Sequence, residues 1–279
     1  MTVKPTATLG TEAWQPEFIE QRRSDVGGYL EQTSQTDLIQ RVAACSVELM
    51  GPLEARAVLE VGCGNGVFLP RLATAVGRNG RVVGIDHSEV FVADAQARAK
   101  AAGLGDFVTV QQADAYRLPF GDSTFDVAHC ERVLMHLENP SAALAEMKRV
   151  VKSGGWIVAA EPDWAGIRID HPDRSGMDLL FARSMPNKQP DVGLTLYRRM
   201  AEIGVSERRA DPVLGVFTDY EIVKGYGVSL LPAADALVRE GALTRARADA
   251  LLMALEGANE IGRYYSVGVM HVVAGRVQK

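Results

Sequence analysis

The sequence predicts an α/β protein with a doubly wound, mostly parallel sheet, and three observations predict it. Short apolar runs without polar alternation recur between residues 57 and 160, the pattern of strands buried on both faces. Helix-length amphipathic stretches lie between them. The first run ends in a loop with glycine at 62, 64 and 66, and the next run ends on a single carboxylate, Asp86. Strands and helices alternating at this length form a parallel sheet with helices on both faces.

The elements follow in order. Residues 1–13 read as a loose segment, and Trp14 to Met50 reads as helical with breaks. Thr36 or Asp37 caps a helix whose apolar face includes Leu38, Val42, Val47 and Leu49, and Gly51-Pro52 ends it. Val58–Val61 is the first strand, with a helix from Val67 to Val76 after it. Arg81–Ile85 is the second, followed by a helix capped by Ser88 and stopped at Gly103. Phe107–Gln111, Phe125–His129 and Trp156–Ala160 are the next strands, and Ser141, after Pro140, caps the helix that runs to Val151.

After Glu161 the pattern changes. Residues 171–203 read as helix, loop and helix, with Pro186, Pro190 and Gly193 in the middle and Gly204 as the stop. Val205–Phe217 is a strand. Residues 219–262 hold no strand signal; they include a helix capped near Thr244, with Leu251, Leu252 and Leu255 on its apolar face, ending at Gly257. Tyr264–Ala274 alternates like a final strand. The division expected is an N-terminal helical arm over 1–50 and a main domain over 51–279, with lid insertions at about 163–203 and 219–262.

A Gly-rich turn after one strand and an acid at the tip of its neighbour is the layout of a site for a ribose-bearing cofactor. Glycine lets backbone approach the ligand, and a carboxylate accepts two hydrogen bonds from a ribose diol. The dinucleotide fingerprint G-x-G-x-x-G does not fit, because the third glycine comes one residue early and Val67 stands where Gly or Ala is wanted. Glu60, inside the strand before the turn, opposes a pyrophosphate and favours a ligand carrying an ammonium and a sulfonium.

The stretch Val58-Leu-Glu-Val-Gly-Cys-Gly-Asn-Gly66 resembles motif I of the class I methyltransferases that use S-adenosylmethionine. The resemblance continues through Val82–Asp86, Gln112–Phe120, Ser123–Leu137 and Pro140–Glu161, covering roughly residues 55–165 in the correct order. Its flavour is that of small-molecule methyltransferases related to ubiquinone and menaquinone C-methyltransferases. It implies a seven-stranded sheet whose last strand, antiparallel, lies beside the fifth; Tyr264–Ala274 is the candidate. It implies a cofactor site of Glu60, Gly62, Cys63, Gly64, Asn65, Asp86 (ribose), His87, Asp114 and Ala115 (adenine edge) and Cys130 (methionine end). Tyr29 is expected to close over the methionine moiety.

Methyl transfer from a sulfonium needs collinear reactants and exclusion of water, and a general base only for an acceptor that must lose a proton. His136 and His171 are the candidate bases, with His129, Glu131 and Glu161 as further titratable groups. Trp14, Phe18 and Trp164 are candidates for an apolar acceptor wall. No metal site is expected.

Composition limits the alternatives. The chain has 279 residues, 47% hydrophobic and 23% charged, which suits one globular domain with an appended lid. With net charge −5 and no Lys/Arg run longer than two, no nucleic-acid partner is expected. No apolar run reaches the ~20 residues of a membrane span, and residues 1–13 lack a signal-peptide core. Cys45, Cys63 and Cys130 form no C-x-x-C pair and point to a reducing cytoplasm. The expected function is transfer of a methyl group to a small, largely apolar natural product or secondary metabolite, with a quinone or lipid precursor as the alternative acceptor. The rivals from other classes are an NAD(P)-dependent oxidoreductase and a non-catalytic cofactor-binding protein. The Pro- and Trp-bearing N-terminal arm is a candidate surface for a second copy.

Overall fold

In the computed structural model the described residues are 14–185, 188–226, 228 and 230–279, apart from the Pro16 side chain. The expectations for residues 1–13 and for Pro186 lie outside them. The chain runs α1 (Pro16–Gln21), α2 (Arg23–Ser34), α3 (Asp37–Met50), β1 (Ala57–Val61), α4 (Leu69–Val76), β2 (Arg81–Asp86), α5 (Glu89–Ala101), β3 (Val108–Gln112) and β4 (Phe125–Glu131). It continues with α6 (Pro140–Val150), β5 (Val151–Ile169), α7 (Arg174–Ser184), α8 (Val192–Glu202), β6 (Ser206–Phe217), α9 (Tyr220–Gly225), α10 (Leu230–Arg239), α11 (Arg245–Glu260) and β7 (Ser266–Arg276).

One seven-stranded sheet orders these strands β3-β2-β1-β4-β5-β7-β6. The first five are parallel, and β7 pairs antiparallel with both β5 and β6. The order reverses between β1 and β4, so the loops after these strands diverge and leave a crevice at their carboxyl ends.

Both faces of the sheet are covered. Ala143, Leu144 and Met147 of α6 and Leu196 and Met200 of α8 pack with Leu59, Val61 and Ile157 on one face. Val42 and Met50 of α3, Leu69 and Leu72 of α4 and Val92 and Ala95 of α5 pack with Val58, Val82 and Val127 on the other. Each fully buried Val, Leu, Ile or Met among them contributes about 1.5–3 kcal/mol. A separate cluster joins α7, α9, α10 and α11 through Leu180, Tyr220, Leu237, Leu251 and Tyr264. A fourth, small cluster holds Ile19, Val26 and Tyr29 against Phe91 of α5.

Several local expectations are corrected. The cap of α6 is Asn139, whose Oδ1 accepts from the Ala142 amide at 3.1 Å, not Ser141. Thr36 stands before α3 but donates its hydroxyl to the Thr33 carbonyl instead of capping. The buried face of α3 is Ile39, Val42, Ala43, Ser46 and Met50 rather than the set containing Leu38 and Leu49. Helix α11 passes through Gly257 and ends at Glu260. Residues 163–203 do not make one lid: α7 joins α9–α11, whereas α8 belongs to the sheet core.

Strand β5 is much longer than its sequence signal. Past Glu161 it bulges between Asp163 and Arg168, then pairs again with β7 as far as Ser266. This extension carries the α7 and α9–α11 cap. Among the described residues no helix is long and apolar enough to cross a membrane.

Candidate active site

The loop after β1 is glycine by necessity at three places. Gly62, Gly64 and Gly66 have φ of +71°, +53° and +80°, a region that side chains with a Cβ rarely adopt. Neighbours also press on each. A Cβ at Gly62 would lie 2.4 Å from Val133 Cγ2, one at Gly64 3.0 Å from Leu30 Cδ1, and one at Gly66 2.9 Å from Ala95 Cβ. Cys63 and Asn65 between them are buried, and their backbone is bonded inward: Cys63 N–H donates to the Ile85 carbonyl at 2.9 Å, and the Asn65 carbonyl accepts from Arg98 Nε at 3.0 Å. Burial pushes the Cys63 thiol well above its ordinary value. The Asn65 Nδ2 donates to the Gly27 carbonyl at 3.4 Å, and its Oδ1 has no hydrogen-bond partner among the described residues.

Asp86 ends β2 beside this loop. One of its oxygens accepts from the Gly64 amide at 2.8 Å and the other from the Ser88 amide at 2.9 Å, which fixes the carboxylate plane. Oδ2, which serves only Gly64 among the described residues, keeps a further lone pair for an incoming donor. His87 Nδ1 lies 3.3 Å from Asp86 and its Nε2 2.7 Å from the Trp14 carbonyl; the Asp86 hydrogen bond raises the imidazole above its usual range. Asp86 pairs in register with Gln112, so Asp114, two residues on, stands at the same sheet edge. Asp114 is exposed, with Oδ1 accepting from the Tyr116 amide at 2.8 Å, and Ala115 is half-buried beside it.

The end of β4 gathers charge. His129 and Glu60, in register on β4 and β1, are 0% and 2% exposed and meet at 2.6 Å. Burial opposes the imidazolium, but the Glu60 charge and hydrogen bond raise His129 above its usual value. Phe68 covers the ring, with centroids 5.0 Å apart. Glu60, expected at the cofactor, is the buried hydrogen-bond partner of His129. Cys130, in register with Val61 of β1, is fully buried.

Glu161, in the middle of the adjacent strand β5, serves the turn after β4. Its carboxylate accepts from the amides of Val133 (2.8 Å), Leu134 (2.7 Å) and Met135 (3.3 Å). It thus anchors the turn that presses Val133 on Gly62 and presents His136. Both His136 ring nitrogens are buried without a hydrogen-bond partner among the described residues, and Trp14 stacks on the ring at 4.9 Å. Tyr29 is buried edge-on to Trp14, its hydroxyl donating to the Tyr226 carbonyl at 3.4 Å. Phe18 packs beside them in the arm, and Trp164 bonds Met135 Sδ at 3.3 Å.

His171, the other candidate base, stands apart from His136. It lies beyond the β5 extension, which pairs with β7 from His271 to Ser266, about 17 Å of strand past Glu161. Its Nδ1 accepts from the Asp173 amide at 3.0 Å in the turn that caps α7.

Burial, reinforced by Arg132, His87 and Lys188, pushes His136 down to about 3. The ordinary value is near 6.5, so between these limits the unfolded chain binds a proton that the folded chain refuses. Stability then falls as pH falls through that window, by about 2 kcal/mol between pH 7.5 and pH 5. His136→Phe should remove most of this drop in urea unfolding at the two pH values; an equal drop in parent and variant would exclude His136 as its source.

Sequence reasoning missed Arg132. It is the residue after β4, has φ of +56° and reaches across to α2, where its Nη1 donates to Thr33 Oγ1 at 3.2 Å. Nothing in the sequence marks a non-glycine residue for that backbone conformation.

Residues 59–159 match the family described as Methyltransferase domain. The chain is 33% identical over 198 residues, 70% of its length, to an uncharacterized 37.1 kDa transposon protein of Streptomyces fradiae, covering 56% of it. It is 36% identical over 126 residues to a demethylmenaquinone methyltransferase of Bacillus cytotoxicus (44% of this chain, 53% of that one). It is 34% identical over 150 residues to the 27-O-demethylrifamycin SV methyltransferase of Amycolatopsis mediterranei (51% and 54%). The chain thus spans about half the length of these curated relatives. The crystal structure of the YcgJ protein from Bacillus subtilis superposes with a TM-score of 0.62 at 16% identity, over 86% of this chain and 99% of that one, a likeness of fold. The glycine loop and the strand order agree with these matches, and residues 59–159 carry a methyltransferase domain.

Proposed function

We propose that the chain transfers the methyl group of S-adenosylmethionine to a small, largely apolar acceptor of the natural-product kind, releasing S-adenosylhomocysteine. The observation that carries this reading is the Asp86 carboxylate locked to the Gly64 amide at the mouth of the β1–β4 crevice. The donor set suits the cofactor. The left-handed glycines put no side chain at 62 and 64, Asp86 Oδ2 offers a lone pair to a ribose hydroxyl, and Asp114 with Ala115 offers an edge to adenine. The Cys130 backbone and Tyr29 would flank the methionine end. When bound, the cofactor supplies an electrophilic methyl on a sulfonium.

The chain's own part is to orient the acceptor and keep water out. His136 is neutral at physiological pH, and its ring nitrogen without a hydrogen can accept a hydrogen bond from an acceptor hydroxyl and orient it. Stacked Trp14 holds the ring plane and makes an apolar wall. The arm, α1–α3, and the cap, α7 with α9–α11, act as lids; the Tyr226 hydroxyl donates to Thr36 Oγ1 at 2.8 Å between them. A quinone precursor is the second reading, favoured by the demethylmenaquinone methyltransferase among the relatives. Net charge −5 weighs against a nucleic-acid acceptor, and the free cysteines favour the cytoplasm as the compartment.

Parallel calorimetric titrations with S-adenosylmethionine, S-adenosylhomocysteine and NADH test this. Micromolar binding of the first two and silence from NADH supports it, and binding of NADH alone sinks it. Asp86→Ala should weaken binding of both adenosyl ligands by about 1–3 kcal/mol in a folded protein. Unchanged affinity would remove Asp86 from the ribose role.

A further inference from the structure

Helix α2 is strapped to α5 at two points. Arg23 bonds Asp94, with Nε 3.0 Å from Oδ2, and Glu31, about two turns further along α2, accepts from Arg98 Nη2 at 2.5 Å. Between the straps the helix is weak. Gly27 and Gly28 stand in its middle, where glycine costs stability, and a Cβ at Gly28 would meet nothing within 4 Å, so no close packing calls for it. The apolar hold of α1 and α2 on α5 is one small cluster, Ile19, Val26 and Tyr29 against Phe91.

Arg98 has a second bond. Its Nε donates to the Asn65 carbonyl at 3.0 Å, so one planar guanidinium holds the arm with one nitrogen and the glycine loop with another. Helix α5 brings it there because Ala95, one turn earlier, packs against Gly66. The arm touches the same loop beside this bridge: Leu30, next to Glu31, closes on Gly64, and Asn65 Nδ2 reaches the Gly27 carbonyl.

We propose that Arg98 is a positioning residue that makes closure of the arm and order of the glycine loop one event. With α2 down, Glu31 steadies the guanidinium that holds the Asn65 carbonyl. When α2 lifts to let a ligand exchange, Glu31 leaves, the guanidinium loses its second anchor and the loop loosens. Both straps are partly exposed, and ion pairs of that kind carry effects of about two- to fivefold, small enough for a gate that opens and closes during turnover. The identity of the exchanging ligand rests on the cofactor reading above; the link between arm and loop rests on bonds within the chain.

Hydrogen exchange over residues 23–31 and 63–66, in the chain without ligand, tests the link. The amides of Cys63 and Gly66 report on the loop through their bonds to the Ile85 and Cys63 carbonyls. The variants are Glu31→Gln, Arg98→Gln and Arg23→Gln, with Arg23→Gln repeated in the Arg98→Gln background, each checked by its melting curve. Glu31→Gln and Arg98→Gln should each speed exchange in both stretches by about two- to fivefold. Arg23→Gln, at the remote strap, should speed both stretches in the parent, but 23–31 alone once Arg98 is replaced. Should Arg98→Gln not fold, Arg98→Lys takes its place, because a single ammonium cannot serve Glu31 and the carbonyl as a fork does. Stopped-flow binding of S-adenosylhomocysteine supplies the second readout: Glu31→Gln and Arg23→Gln should each raise the association and dissociation rates about two- to fivefold. Unchanged exchange at 63–66, an Arg23→Gln effect there that ignores Arg98, or rates unmoved by either variant overturns the inference in favour of surface pairs that hold the helix alone. A parent that binds no S-adenosylhomocysteine sinks the cofactor reading, and the exchange experiment then decides the link by itself.

Discussion

Glu161→Ala is expected to destabilise the fold by about 4 kcal/mol, because three backbone amides lose their shared acceptor and each unsatisfied buried donor costs about 1–3 kcal/mol. The three are Val133, Leu134 and Met135, and the carboxylate that serves them is fully buried. Burial pushes this carboxyl up to about 7, against the pull of the same three amides, so the site tolerates an uncharged side chain better than an absent one. Glu161→Gln keeps one carbonyl oxygen there and should cost only about 1–2 kcal/mol. Urea unfolding measures both. Hydrogen exchange at 133–135 should rise steeply in the alanine variant and modestly in the glutamine variant. An alanine variant within about 1 kcal/mol of the parent would mean that water replaces the carboxylate and that the turn is held by other contacts.

The functional consequence follows from what that turn carries. Val133 closes on Gly62 and His136 stands three residues on, so loosening it disturbs the cofactor loop and the candidate base together. Glu161 acts through these neighbours and is a positioning residue, although its sequence position suggested a group at the chemistry.

The parallel half of the fold was legible because it is written locally. Val58–Val61, Arg81–Ile85 and the three later runs are apolar in the way buried parallel strands must be, and Ser88 and Thr244 cap their helices through side-chain acceptors as expected. The cap at Asn139 was also readable: proline at the first helical position leaves the preceding residue as the cap. The β5 extension was not readable, because Pro162, Asp163 and Gly166 mark a bulge and the strand resumes only through pairing with β7. Gly257 looked like a stop, but Gly262, at φ +66°, is the glycine in the left-handed position after α11. In the site, Asp86 and the glycines were found from a spacing. The Glu60–His129 pair was not, since β1 and β4 are 60-odd residues apart and become neighbours only through the crossover. Arg132 depends on a backbone angle with no sequence signal at all.

The Glu60–His129 pair yields the other large effect. Removing one member of a buried ion pair leaves an uncompensated charge and costs about 3–5 kcal/mol, whereas replacing both by apolar groups of similar size is often neutral. Glu60→Leu and His129→Leu should each cost that much in urea unfolding, and the double variant should recover most of it. Coupling of this sign identifies the pair as one unit rather than two independent contributors. The same proteins separate structure from ligand binding. If Glu60 serves only His129, the refolded double variant binds S-adenosylhomocysteine within about threefold of the parent, less than 1 kcal/mol. A double variant that is stable yet binds more than about tenfold weaker would return Glu60 to the cofactor, as a buried negative charge acting on the sulfonium and ammonium through the floor of the loop.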